Sequence, residues 1–192
     1  MREDIIEQAV KILKNGGIIA YPTDTIFGIG CDALNRKAVK KIFKLKKRDY
    51  SKPLSIACSS IDMAKDYVKI DLNFEQKLMK IFPGPITLIL PKKETIPDLI
   101  TAESTSVGIR VPSYDLIRKI IKNFGRPIIT TSANLSGQIN VENLDMLPYR
   151  VDFIVPGQCK LNQPSTIIDM TKRKIVRKGA GLKIAKDFLN SR

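Results

Sequence analysis

Apolar positions recur along this chain with two periods, and the alternation between them predicts the order of elements. Ile5, Ile6, Ala9, Val10 and Leu13 make one helical stripe that stops at Asn15-Gly16-Gly17. Gly17 to Tyr21 reads as a buried strand running into the polar turn Pro22-Thr23-Asp24-Thr25. Asn35 is placed to cap a helix with Ala38, Val39, Ile42 and Phe43 on its apolar face. Pro53–Ala57 is strand-like, Ile61–Val68 is helical, and Phe74, Leu78, Ile81 and Phe82 mark another helix. Strands follow at Ile86–Leu90 and Val107–Val111, then a helix capped by Ser113 with Leu116, Ile117, Ile120, Ile121 and Phe124 inward. Pro127–Thr131 is a further strand ending in the turn Ser132-Ala133-Asn134. Short strands at Val151–Val155, Ser165–Met170 and Lys174–Arg177 precede a closing helix at Leu182–Leu189. Alternating strands and helices predict an α/β sheet, antiparallel in part because the late strands are short and close together. No repeat or linker interrupts residues 1–192, so one domain is expected.

Composition narrows the chemistry. The 192 residues contain no histidine and no tryptophan. Imidazole bases, Ser-His-Asp and Cys-His nucleophile systems and imidazole-ligated metals are therefore excluded, and no metal site is predicted in the protein itself. Cys31, Cys58 and Cys159 are too widely spaced for a CxxC pair or a disulfide framework, which suits a reducing cytoplasm. Acids stand where a signal peptide would be basic, and no apolar run approaches ~20 residues, so no membrane association is expected.

The formal charge of +14 is concentrated. Residues 36–52 hold nine basic residues and one acid; residues 172–186 hold seven and none. Such segments are either solvated lysine-rich faces or sites for phosphate groups of a nucleotide or nucleic acid. Neither a Walker-type loop nor a dinucleotide fingerprint is present. Polar clusters do recur just after apolar strands, where ligands of open α/β sheets tend to bind.

Seven ordered motifs sharpen this: Tyr21-Pro-Thr-Asp-Thr-Ile-Phe-Gly-Ile-Gly30, Lys46-Lys-Arg48, Lys52-Pro-Leu54, Phe82-Pro-Gly-Pro-Ile-Thr87, Val107-Gly-Ile-Arg-Val-Pro112, Thr130-Thr-Ser-Ala-Asn-Leu-Ser-Gly137 and Pro164-Ser-Thr-Ile167. Together they resemble the YrdC/Sua5 family, threonylcarbamoyl-AMP synthases of the tRNA t6A pathway, from about Gly16 to Gly179. The resemblance implies a twisted, mixed parallel/antiparallel sheet with flanking helices around a large basic cavity, which would account for both basic segments. It implies a nucleotidyltransferase that joins ATP, L-threonine and bicarbonate into threonylcarbamoyl-AMP and pyrophosphate, with Mg2+ on the ATP and no redox cofactor. By the same resemblance Lys46 and Arg48 are catalytic. Lys46, Arg48, Lys52, Ser106, Ser132, Asn134 and Arg177 bind the nucleotide. Thr25, Arg110, Thr131 and Ser165 hold L-threonine, with Arg110 suited to its carboxylate. Asp24 would serve as a turn former or steer the amine or the metal. A downstream tRNA threonylcarbamoyltransferase would take up the labile product, and contact with tRNA or double-stranded RNA is a further expectation. The chain departs from the family pattern at Asp49, where Pro is common, at Phe27, where Tyr is frequent, and at Ala57, where long members carry His. Two alternatives stay open: a YciO-like or hydrogenase-maturation-like paralogue with another acyl acceptor, and a non-catalytic RNA-binding protein.

Overall fold

A computed structural model describes residues 2–191, and its centre is one nine-stranded sheet. Helix α1 (Arg2–Lys14) leads into β1 (Ile19–Tyr21) and β2 (Gly28–Gly30). Then come α2 (Arg36–Leu45), β3 (Ser55–Ala57), α3 (Ile61–Lys65), α4 (Leu72–Leu78) and β4 (Ile86–Pro91). The short α5 (Asp98–Thr101), β5 (Ser106–Arg110), α6 (Asp115–Phe124) and β6 (Ile128–Ser132) follow. A 3-10 turn at Leu144–Met146, β7 (Phe153–Ile154), β8 (Thr166–Asp169), β9 (Lys174–Arg177) and α7 (Leu182–Asn190) complete the chain.

The strand order is β7-β1-β2-β6-β3-β5-β4-β8-β9. The mixed sheet matches expectation, but its parallel pairs sit elsewhere. Late strands β7 and β8 pair parallel to β1 and β4, whereas the middle of the sheet, β1-β2-β6-β3, is antiparallel throughout. Strand β2 is absent from the sequence reading because Gly-Ile-Gly carries no β-branched alternation. Its glycines are a packing requirement: a Cβ at Gly30 would stand 2.3 Å from the carbonyl oxygen of Ile129 on β6.

Helix α2 forms as its pattern predicts. The Asn35 side chain accepts from the amides of Lys37 and Ala38, and Ala38, Val39, Ile42 and Phe43 are buried. Burial of Ile42 and Phe43 contributes roughly 1.5–3 kcal/mol each. Helix α6 starts differently: its cap is Tyr114, without a side-chain bond, and Ser113 is exposed outside it. Cys31 and Cys58 are buried and all three cysteines are free; burial pushes the Cys58 thiol up to about 12. Among the described residues no helix is long and apolar enough to cross a membrane.

The basic segment 36–52 is mostly surface. Lys37, Lys40, Lys44 and Lys47 are exposed, while Lys46 turns inward and Arg48 is half-buried. In the second segment Lys172, Arg173, Lys174, Lys178, Lys183 and Lys186 are likewise exposed. A cavity therefore does not account for either run: hydration of outward lysines is cheaper than enclosing them.

Candidate active site

A cleft of about 190 Å3 opens where strands distant in sequence present their polar side chains. Arg48, Arg110 and Arg177 line it together with Thr23, Ser55, Thr87, Thr130, Thr131, Ser132 and Ser165. It is basic, but well short of the large cavity expected, since sites for drug-sized ligands usually run to about 300–1,000 Å3.

The three arginines are each held by the wall. Arg48 donates from Nε to the carbonyl of Lys52 (3.1 Å) and from Nη2 to that of Pro53 (2.8 Å). Arg177 donates to the carbonyl of Ser165 through Nε (3.1 Å) and Nη2 (2.9 Å), and to its hydroxyl (3.0 Å). That hydroxyl also meets Thr87 Oγ1 at 2.8 Å. Burial holds the guanidinium pKa of Arg48 below its ordinary value. Burial does the same to Arg177, with the nearby charge of Arg110 adding to the effect. The crowding of Arg177 by Arg110 favours an anion beside that pair.

Arg110 is committed to a carboxylate already present. Its Nη2 lies 2.7 Å from Asp24 Oδ1, and both side chains are more than nine-tenths buried. Asp24 Oδ2 and Arg110 Nε find no partner. An incompletely satisfied buried pair is costly, and a zwitterionic ligand carries groups that could complete it. Asp24 sits in a turn organised by Thr23, whose Oγ1 donates to the carbonyl of Ile26 (2.8 Å) and accepts the amide of Thr25 (3.0 Å).

Six of the eleven residues expected to form the site therefore divide from the rest. Arg48, Ser132, Arg177, Arg110, Thr131 and Ser165 come together on the cleft wall. Thr25 is fully buried behind it, with its hydroxyl 2.9 Å from that of Thr23. Lys52 is exposed and outside the cleft. Ser106 lies at the other end of β5 from Arg110, four residues or about 13 Å away along a strand. Its hydroxyl meets Ser104 instead, at 3.1 Å. Asn134 is buried, and its amide donates to the carbonyls of Leu135 (2.8 Å) and Gln138 (2.6 Å), tying its own turn. Lys46 is 1% exposed, and its ammonium donates to the carbonyls of Ser132 and Asn134. Burial, then the charge of Arg48, lowers its pKa to about 8.

Thr23, Ser55, Thr87 and Thr130 line the cleft without having been singled out as binding residues. Thr23, Thr87 and Thr130 lie inside quoted motifs, and alternation along β4 would have turned Thr87 to the same face as Ile89. Among the described residues no group of three or more acids and cysteines could hold a metal ion.

The model of the Sua5/YciO/YrdC family, described as "Telomere recombination", matches residues 11–179. The chain belongs to that family. The threonylcarbamoyl-AMP synthase of Photobacterium profundum is 34% identical to this Sua5/YciO/YrdC protein over 185 residues, covering 92% of this chain and all of the relative. Among solved structures, P. abyssi Sua5 complexed with L-threonine superposes with a TM-score of 0.90 at 30% identity, covering 99% of this chain. The chain spans 58% of that Sua5. E. coli YciO superposes at 0.83 with 27% identity, over 94% of this chain and 91% of YciO.

Proposed function

We propose that this Sua5/YciO/YrdC protein is a threonylcarbamoyl-AMP synthase. The observation that carries the reading is the convergence of Arg48, Arg110 and Arg177 on one cleft with the Thr87–Ser165 hydroxyl pair. Each arginine comes from a different part of the chain, Arg48 after α2, Arg110 on β5 and Arg177 on β9, and each retains donors that no protein group occupies.

Two steps suffice. The amine of threonine adds to bicarbonate-derived CO2, losing a proton to give N-carboxythreonine. A carboxylate oxygen of that carbamate then attacks the α-phosphate of ATP. Pyrophosphate leaves, and threonylcarbamoyl-AMP remains. Neither step needs an imidazole, so catalysis rests on positioning and on stabilising phosphoryl charge. Arg48 and Arg177 serve the phosphates. Arg110 exchanges its Asp24 partner for the threonine carboxylate, and Thr131 and Ser165 bind the remainder of the amino acid. Mg2+ would be carried in on the triphosphate, whose phosphates divalent ions neutralise, since among the described residues no cluster of acids and cysteines could hold it. Lys37, Lys40 and Lys44 on the outer face of α2 offer tRNA an electrostatic surface, and a separate transferase takes up the labile adenylate for t6A formation.

The test is incubation with ATP, threonine, bicarbonate and Mg2+, with mass detection of threonylcarbamoyl-AMP and of pyrophosphate in the absence of tRNA. Valine should be nearly inert, because a site built to bond a hydroxyl rejects analogues lacking it, and serine, which keeps the hydroxyl and lacks only the methyl group, should be a modestly poorer substrate. Valine turnover equal to that of threonine would favour the YciO-like reading, which the structural likeness to YciO keeps in view.

A further inference from the structure

The expected role of Lys46 as a nucleotide ligand explains its surroundings poorly. A cation that meets a triphosphate belongs on the cleft wall, and the wall cations are Arg48, Arg110 and Arg177. Lys46 lies behind them, at the C-terminal end of α2, with its side chain enclosed. Its ammonium bonds the carbonyls of Ser132 and Asn134. The carbonyl between those two, on Ala133, accepts the Tyr149 hydroxyl at 2.5 Å. Three successive carbonyls are thus held from behind. The amide of Ser136 closes the arrangement by donating to the carbonyl of Lys46 itself (3.1 Å), and the amide of Ala133 donates to that of Phe27 (2.9 Å). Within the 132–136 segment tied in this way, Ser132 is the residue that lines the cleft.

A lysine suits this post. Its four-carbon stem crosses from the end of α2 to the end of β6, and a compact ammonium can serve two carbonyls that diverge, where a planar guanidinium would demand a fork. Charged donors also make the stronger hydrogen bonds to carbonyl oxygens.

We propose that Lys46 is a positioning residue: with Tyr149 it locks the 132–136 backbone so that Ser132 meets the ligand, and its ammonium stays behind the cleft wall when nucleotide binds. The proposal rests on the nucleotide-binding reading of the cleft. Its test uses the full chain carrying Lys46→Met, Lys46→Gln or Tyr149→Phe; the glutamine variant, which keeps a donor, serves if the methionine variant does not fold. Amide hydrogen exchange across 132–138, without ligand, should accelerate about tenfold or more in each. Kd for AMP, ADP and ATP, measured well below each melting temperature, should rise by one common factor of about ten, because the displaced group is Ser132. That factor corresponds to loss of an ordinary charge-assisted hydrogen bond. A loss growing with each added phosphate would place the ammonium on the phosphates and overturn the proposal. So would unchanged exchange in the Lys46 variants, or affinities equal to those of the unaltered protein, as a merely weakened fold would give. Failure of the unaltered protein to bind any nucleotide would sink the function reading alone, with exchange still deciding the role of Lys46.

Discussion

Two buried cations, Arg110 on the cleft wall and Lys46 outside its lining, have surroundings that differ in kind. Arg110 faces a carboxylate: Asp24 balances its charge at 2.7 Å, and the pair is neutral as a unit. Lys46 faces two neutral carbonyls, and the charge nearest it is the like charge of Arg48. The first arrangement stores a partner that a ligand can replace. The second spends its cation on holding backbone. One setting is therefore built to exchange contacts and the other to prevent movement.

The largest effect should come from breaking the balanced pair. Arg110→Met leaves Asp24 buried and uncompensated, which costs about 3–5 kcal/mol of unfolding free energy in denaturant titration. Adding Asp24→Leu should recover more than half of that loss. A double variant no more stable than the single one would mean the pair is not a unit, and the contrast with Lys46 would fail.

Removing the unbalanced cation should cost less, about 1–2 kcal/mol for Lys46→Met. Two carbonyls lose a donor, but an uncompensated charge leaves the interior as well. The pH dependence sharpens this. The folded state holds Lys46 near 8 while the unfolded chain titrates it near 10.5, so the unfolded state binds the extra proton between those values. Stability of the unaltered protein should rise with pH across that window relative to Lys46→Met, and the difference should be flat below about pH 7. A difference that falls between pH 8 and 10.5 would contradict an ammonium disfavoured by burial.

The smallest effect belongs to the outer face. Lys44→Ala should change stability by under about 0.5 kcal/mol and leave ATP affinity unaltered, while Arg48→Ala weakens ATP binding about tenfold. Equal effects at the two positions would return the charge to a diffuse surface role.

Much of the scaffold could be read from the chain. The α2 cap and the strands carrying Thr87, Arg110 and Thr131 follow from periodicity, while Arg48 and Arg177, which line the cleft, were pointed to by the family resemblance. Direction was harder to read. Thr23 and Thr25 are both hydroxyls in one turn, and only the hydrogen-bond pattern around Thr23 Oγ1 decides which of them meets the cleft. Lys46 and Asn134 fall in the quoted motifs, yet the Lys46 ammonium and the Asn134 amide nitrogen are taken up by backbone carbonyls; a motif records that a residue type is needed, not which way it points. Tyr149 carried no signal at all, since its partner Ala133 lies 16 residues away in a segment without periodicity. The short α5 and the Gly-rich β2 offered too few residues for any period to register.

The strand order has a consequence for how the protein is made. Wall residues come from Thr23 at one extreme and from Ser165, Ile167 and Arg177 at the other, and β8 docks beside β4 only after some eighty residues of intervening chain. Pairings this non-local are slow to form, and their loop-closure entropy must be met before they contribute. During synthesis the cleft therefore has no floor on one side until β8 and β9 have left the ribosome. A nascent chain halted before residue 160 would present Arg48 and Arg110 without the strand that completes their enclosure, so ligand capture becomes a late event that reports on completion of the fold.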